Sequence, residues 1–333
     1  MISICSIKGS AGSSTLALLT ASSWPSRAVL VEADPVGGEF ALTLAGPQGQ
    51  VLPAKPGIAE LALSAAQRMP STERVWAAAL ETSAGAVVCG IPSAEPMGKV
   101  LREYGRHIAA MLAGEQDVIV DAGRLSPDTA ALPLLAASNV VAVVLPDRPE
   151  SLFRLTDLVP GLASVLRVED DVRSVVVPVV VATPHRGSAA AREVDEVLAH
   201  RHIPISKTQW IAWDPKAADA VRGGAARAQR SVLLRTARAV VESLVGEQRT
   251  VIEQRASRAR LATEQFSDAA SQWRGMGGAP AGNFTPPRSD VRTHERPAAP
   301  APVRPQTSED LRRAIFEPIN GNGHGRGPVN GHG

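Results

Sequence analysis

The sequence predicts an α/β fold: a mostly parallel sheet with helices on both faces. Short β-branched runs alternate with longer Ala- and Leu-rich stretches of helical period, the pattern of βαβ units. Several of the short runs, 140–145 (VVAVVL) among them, show no polar alternation, so both of their faces must be covered. Aromatic residues make up 3% of the 333 residues against a hydrophobic content of 44%, so Val, Ala and Leu must build the core. That composition suits helices packed on a Val-rich sheet rather than an aromatic-rich sandwich.

Strands are expected at 2–7, 28–33, 86–91, 117–121, 140–145, 175–182 and 209–212, and helices at 14–22, 57–68, 97–113, 149–166 and 188–200. Asp214-Pro215 opens a further helix, with an N-capping carboxylate followed by proline at the first helical position, and another helix is expected over 229–245. From 246 to 274 the chain is charged and helix-favouring, which predicts a solvated helical extension. From 275 it turns Gly-, Pro- and Asn-rich and cannot bury enough apolar surface to offset its ordering entropy. Three parts follow: an α/β domain over 1–246, a helical extension over 247–274, and a disordered tail over 275–333. No solenoid or propeller period is present. Within the tail, Thr307 can cap a short helix that puts Leu311, Ile315 and Phe316 on one face. Two readings stand for this segment, 307–317: a chance apolar cluster, or a docking element for a protein partner. Glu309, Asp310 and Glu317 flank it and would repel anionic lipid, which ranks a protein partner above a membrane.

Lys and Arg number 35 against 33 Asp and Glu, a net charge of +2, which excludes a chain-wide coating of nucleic acid or membrane. The densest basic region holds Arg222, Arg227, Arg230, Arg235 and Arg238, extended by Arg249, Arg255, Arg258 and Arg260. It reads either as a salt-sensitive, non-specific DNA contact or as a solvated helix face, interrupted by Glu242, Glu247 and Glu253. Cys5 and Cys89 lie in apolar runs, against a disulfide framework or a zinc cluster. His185, His200 and His202 have no facing acidic cluster, and the tail histidines His324 and His332 sit among Gly and Asn. Ser6, Ser10 and Ser13 lack a nearby base and a GxSxG elbow. No basic leader precedes an apolar run, and no apolar run approaches the ~20 residues of a membrane helix, so a cytoplasmic protein is expected.

The informative segment is Lys8-Gly9-Ser10-Ala11-Gly12-Ser13-Ser14-Thr15, which leaves a strand and enters a helix. Successive backbone N–H groups at a helix N-terminus converge on an anion, and glycine removes the Cβ that would block close approach. Two further strands end in carboxylates, one in Glu32 and Asp34 and the other in Asp121 followed by a small turn. In a parallel sheet these ends open onto one edge, where carboxylates can hold magnesium through water and orient an attacking water beside a terminal phosphate.

In these residues the sequence resembles the ParA/MinD family of deviant P-loop ATPases, whose loop reads KGGxGK followed by two Ser or Thr. The resemblance spans residues 1–246. It implies ATP and magnesium as cofactors and a nucleotide-dependent homodimer in which Lys8 reaches the partner's nucleotide. It also implies phosphate contacts from Gly9, Ser10, Ala11, Gly12, Ser13, Ser14 and Thr15. Ser14 falls at the magnesium-binding hydroxyl, Glu32 and Asp34 match the two-carboxylate switch strand, and Asp121 matches the Walker B aspartate. The segment 209–214 resembles the family's last strand and loop, placing Asp214 near the adenine.

This chain departs from the pattern at Ser13, where the family carries the P-loop lysine, and at Glu32, where it carries Asp. Loss of one charge-assisted phosphate contact, about 1.5 to 3 kcal/mol, corresponds to roughly 10- to 150-fold in binding or rate. The expected function is therefore that of an ATP-binding protein that positions cellular cargo, of partitioning or septum-site type, with a degenerate loop and weak or absent hydrolysis. The alternative is a catalytically impaired scaffold resembling the TadZ/CpaE branch, which localises pilus or secretion machinery. Iron–sulfur carriers on this fold need more cysteines, and a dinucleotide site would want GxGxxG.

Overall fold

The computed structural model describes residues 1–9, 11–53, 55–67, 71, 73–114, 117–165, 174–203, 205–222 and 231–275, without the side chains of 162–165 and 265–275. Ser10, Arg227, Arg230, the tail from 276 with its 307–317 segment, His324 and His332 lie outside the described residues.

The elements in chain order are β1 (Ile2–Ser6), α1 (Ser13–Ser22), β2 (Val29–Glu32), α2 (Phe40–Thr43), α3 (Ile58–Ala66), α4 (Glu73–Ala77), β3 (Leu80–Thr82), β4 (Gly85–Val88) and α5 (Ala94–Ala113). They continue as β5 (Val118–Arg124), α6 (Leu132–Ala137), β6 (Val140–Pro146), α7 (Pro149–Val165), β7 (Val175–Ala182), α8 (Gly187–His200), β8 (Gln209–Ala212), α9 (Pro215–Arg222) and α10 (Val232–Gly275). The strands form one sheet in the order β3-β4-β2-β5-β1-β6-β7-β8, parallel throughout except for β3. The chain leaves β1 towards β2 on one flank and passes from β5 to β6 on the other. The order therefore reverses beside β1, and in open α/β sheets the carboxyl ends of the strands at such a point form a crevice.

Alternation along each strand sorts the core into two layers. Val29, Val31, Val118, Val120, Val141 and Val143 pack with α3, α5 and α8 on one face. Ile2, Ile4, Leu30, Ile119 and Ala142 pack with α1 and α10 on the other. Each such Val, Leu or Ile contributes about 1.5–3 kcal/mol by leaving water, which explains the all-apolar strands noted in the sequence.

Three features were not foreseen. Strand β3 is only three residues long and is held by local chemistry: Thr82 Oγ1 donates to the Gly85 carbonyl (2.7 Å) and accepts the Ala84 N–H (3.0 Å). Helices α2, α4 and α6 are one or two turns long, too short to display a period. The expected helix over 229–245 and the extension beyond it are one continuous helix, α10. Leu233, Ala237, Val240, Val241, Leu244, Gln248 and Val251 are buried at three- and four-residue spacing, and Arg255 Nη1 donates to Asn139 Oδ1 (2.6 Å). Among the described residues no helix is long and apolar enough to cross a membrane.

Candidate functional site

The β1–α1 connection ends at Gly12, whose φ of +97° is a left-handed conformation that a Cβ would penalise. No side chain caps α1, so the N–H groups of its first turn face the crevice without a capping partner from its own residues. Ser13 and Thr15 are buried there and Ser14 is half-buried. Positive dipole and convergent donors make this an anion-seeking end.

The carboxylates meet it from two neighbouring strands. Parallel register sets Asp121 beside Ile4 on β1 and beside Glu32 on β2. Beyond Asp121 the β1–β5 pairing slips: Ile4 pairs with Asp121 but Ser6 with Arg124, so β5 carries one extra residue. Gly123, at φ +65°, absorbs this bulge. Bulges of this kind re-aim side chains, and this one stands at the carboxylate end of β5.

Asp121 is 1% exposed. The Ser14 hydroxyl hydrogen-bonds its carboxyl group and the Gly123 N–H donates to Oδ1 (3.2 Å), while Oδ2 has no partner among the described residues. Burial pushes the Asp121 carboxyl up to about 7 against the pull of those two hydrogen bonds, and nearby Glu32 and Asp34 add to the rise. Asp34 is also raised by burial, opposed by the Val36 N–H that donates to its Oδ1 (3.0 Å).

Glu32 serves differently from the metal ligand expected of it. Its Oε1 accepts the N–H groups of Glu39 (2.6 Å) and Phe40 (2.9 Å), and its Oε2 accepts that of Gly90 (2.8 Å). Gly38 and Gly90 close around it without side chains: a Cβ on either would press on the carboxylate and on the other glycine. The Glu32 carboxyl is raised by burial and pulled back by the three backbone donors. It anchors the segment after β2 to the end of β4.

Two cavities lie along this edge. One, about 690 Å³, is bordered by Gly9, Gly12, Ser13, Ser14, Thr15, Glu32, Asp34, Glu39, Asp121, Arg124, Asp219 and Arg222. The other, about 370 Å³, is bordered by Lys8, Gly9, Ala11, Pro146, Asp147, Arg148, Thr183 and Trp213. Gly9 and Trp213 border both, so the two cavities adjoin. Trp213, 56% exposed, is held at its backbone by donation to the Ala182 carbonyl (2.7 Å).

The structure thus brings Gly9, Gly12, Ser13, Ser14, Thr15, Asp34 and Asp121 to one cavity and Lys8 and Ala11 to the adjoining one. Asp214 borders neither. Its Oδ1 accepts the Ala217 N–H (3.1 Å), so its carboxylate caps α9. Gly123, Gly38, Gly90 and Arg222 were not singled out for this site. A glycine after a strand-ending Asp is a usable signal, but the contacts of Gly90 and Arg222 are long-range and leave no local pattern. Arg222 and Arg255 are also drawn out of the basic surface proposed from sequence, the first to the cavity and the second to Asn139.

A divalent cation fits these residues. An orphaned, buried carboxylate oxygen beside a hydroxyl is the donor set magnesium takes when waters and phosphate oxygens complete its shell. No group of three or more His, Cys, Asp or Glu side chains able to enclose a metal is gathered among the described residues, which argues against an all-protein cage.

The chain has the fold of ParA- and MinD-type ATPases. It superposes on a ParA family ATPase from Chlorobium tepidum with a TM-score of 0.54 at 21% identity, over 72% of this chain and 96% of that one. It superposes on the cell division ATPase MinD of Pyrococcus furiosus with a TM-score of 0.55 at 17% identity, over 74% and 98%. For the septum site-determining protein MinD of Pyrococcus horikoshii, solved as a complex with Mg-ADP, the TM-score is 0.51 at 16% identity, over 74% and 99%. No protein-family model and no curated protein sequence matches the chain.

Proposed function

We propose that this chain is a cytoplasmic ATP-binding protein of ParA/MinD type that positions cellular cargo through nucleotide-dependent dimerisation. The observation that carries the reading is Asp121 Oδ2, buried beside the first turn of helix α1 and without a partner among the described residues. A buried carboxylate oxygen left without a partner is costly unless a cation completes it.

In this reading the first turn of α1 binds phosphate through backbone N–H groups, and the exposed Trp213 offers a face on which a base stacks. Ser14 and Asp121 hold magnesium, in part through water. Magnesium supplies charge neutralisation for the phosphate oxygens. Glu32 keeps the segment carrying Asp34 in place, and the Asp34 oxygen not bonded to Val36 is available to orient a water. Lys8 is exposed at the rim, where a second copy of the chain can be reached, and the tail segment 307–317 serves as the protein-docking element.

Equilibrium binding of labelled ATP with magnesium tests this. Saturable binding that is lost in Asp121→Ala supports it. Absence of saturable binding by the parent protein refutes it.

A second reading, a scaffold of TadZ/CpaE type that binds but does not turn over nucleotide, is favoured by one observation. Ser13, 8% exposed, fills the first turn of α1 where the resemblance expects a lysine. Robust turnover by the parent protein excludes the scaffold. Turnover that appears only in Ser13→Lys supports it.

A further inference from the structure

Between Gly9 and Thr15 the loop contains no lysine or arginine. Five carboxylates, Glu32, Asp34, Glu39, Asp121 and Asp219, border the cavity it faces. A polyphosphate entering this cavity therefore meets acidic groups on several sides, and among the described residues the cations that border the same cavity are Arg124 and Arg222.

Arg222 is the last residue of α9, and its Nη2 donates to Thr15 Oγ1 at 3.3 Å. That single contact, across 207 residues of sequence, sets the guanidinium at the first turn of α1. The side chain is half-buried and makes no ion pair among the described residues. Asp219, one turn earlier on α9, also borders the cavity but stands outside ion-pair distance. The remaining donors of a planar guanidinium suit two phosphate oxygens at once. The helix that carries it is fixed at its start by the Asp214 cap and by buried Ala217. Arg124 also borders the cavity, but from the end of β5, exposed and next to Gly123 rather than at the first turn of α1. Lys8 borders the adjoining cavity.

We propose that Arg222 is the phosphate-binding cation of this site, delivered from α9 to α1 in place of a cation in the loop itself. The inference rests on the nucleotide-binding reading above and adds the residue that makes it electrostatically workable.

The test is equilibrium binding of labelled ATP with magnesium to the full chain, with inorganic tripolyphosphate as a competitor that carries no base. Arg222→Gln should weaken ATP about 10- to 100-fold, the size of a lost charge-assisted contact. The same variant should lose competition by tripolyphosphate, while Arg222→Lys, which keeps the charge but not the paired donors, should fall between the parent and Arg222→Gln in both. In the double variant Ser13→Lys/Arg222→Gln, a lysine in the first turn should restore affinity. Circular dichroism and unfolding midpoints identify a variant that has merely lost its fold, and the lysine variant then carries the comparison. If the parent binds ATP and Arg222→Gln binds it equally well, the inference fails and the nucleotide reading stands. Loss of affinity in Arg222→Gln that the lysine at 13 does not restore means Arg222 only packs α9, which also overturns it. If the parent binds neither ATP nor tripolyphosphate, the nucleotide reading fails and takes the inference with it.

Discussion

The Asp34 carboxylate occupies the space that a side chain on Gly123 would need. A Cβ built on Gly123 would collide with the carboxyl group, and the residue also holds a φ of +65°. Strand β5 can therefore bulge next to Asp121 only because position 123 is bare, and the Asp34 carboxylate fills the space beside it. Gly123→Ala should lower stability by about 1–3 kcal/mol, from left-handed strain plus the displaced carboxylate. Urea unfolding measures this. ATP binding should fall with it, because Asp34 and the Asp121 strand end move together.

Glu32 is an anchor for main chain, and its charge is what lets one side chain accept three backbone donors. Gln is nearly isosteric but replaces one acceptor oxygen with an NH₂ donor, which must face a backbone N–H at Gly90 or at Glu39 and Phe40. Glu32→Gln should cost about 1–3 kcal/mol and leave a buried donor unpaired. Amide hydrogen exchange at Glu39, Phe40 and Gly90 should accelerate selectively in that variant. Unchanged protection at all three would show that the carboxylate does not hold the segment.

These two positions also show what could be read in the sequence. The parallel sheet and the edge that gathers Glu32, Asp34 and Asp121 were legible, because each depends on apolar runs and on what immediately follows a strand. The uses of the carboxylates were not. Glu32 and Asp121 look alike as strand-ending acids, yet one accepts three backbone N–H groups, one of them from a glycine 58 residues away, and the other has an oxygen without a partner among the described residues. Arg222 looked like part of a basic surface because sequence density does not say which way a guanidinium turns. The three-residue strand β3 depends on the Thr82 hydroxyl rather than on any run.

The Asp121 carboxyl sets a pH dependence with a defined sign. Burial raises it to about 7 in the folded chain from an ordinary value of 3.8. Below about pH 4 the acid is protonated in both states and contributes nothing to the difference. As pH rises towards 7 the unfolded chain releases its proton first, so the cation-free protein should lose stability through this window and stay low above it. A shift of this size corresponds to a few kcal/mol, and the raised Glu32 and Asp34 act in the same direction. Urea unfolding with a chelator at pH 5 and pH 8 should show the drop. Asp121→Asn should remove its share, and magnesium with ATP should reverse the drop in the parent but not in the variant.

The last prediction concerns where the folded unit ends. The sequence places a boundary at 246, where composition turns charged, but α10 runs through that point without a break. A helix whose stripe against the core is narrow can be mostly charged and still be held. Gln248 and Val251 are buried past the boundary, Arg255 reaches Asn139 at the start of β6, and only from 256 to 264 is every described side chain exposed. A chain ending at 264 should therefore unfold at the same urea midpoint as the full protein. A chain ending at 246 loses the burial of Val251 and a charge-assisted hydrogen bond, and should be less stable by about 2–4 kcal/mol. Arg255→Ala in the full chain should reproduce part of that loss, because it leaves Asn139 Oδ1 without its donor while keeping the helix. Equal midpoints for the chains ending at 246 and 264 would return the boundary to the composition change and make the contacts beyond it incidental.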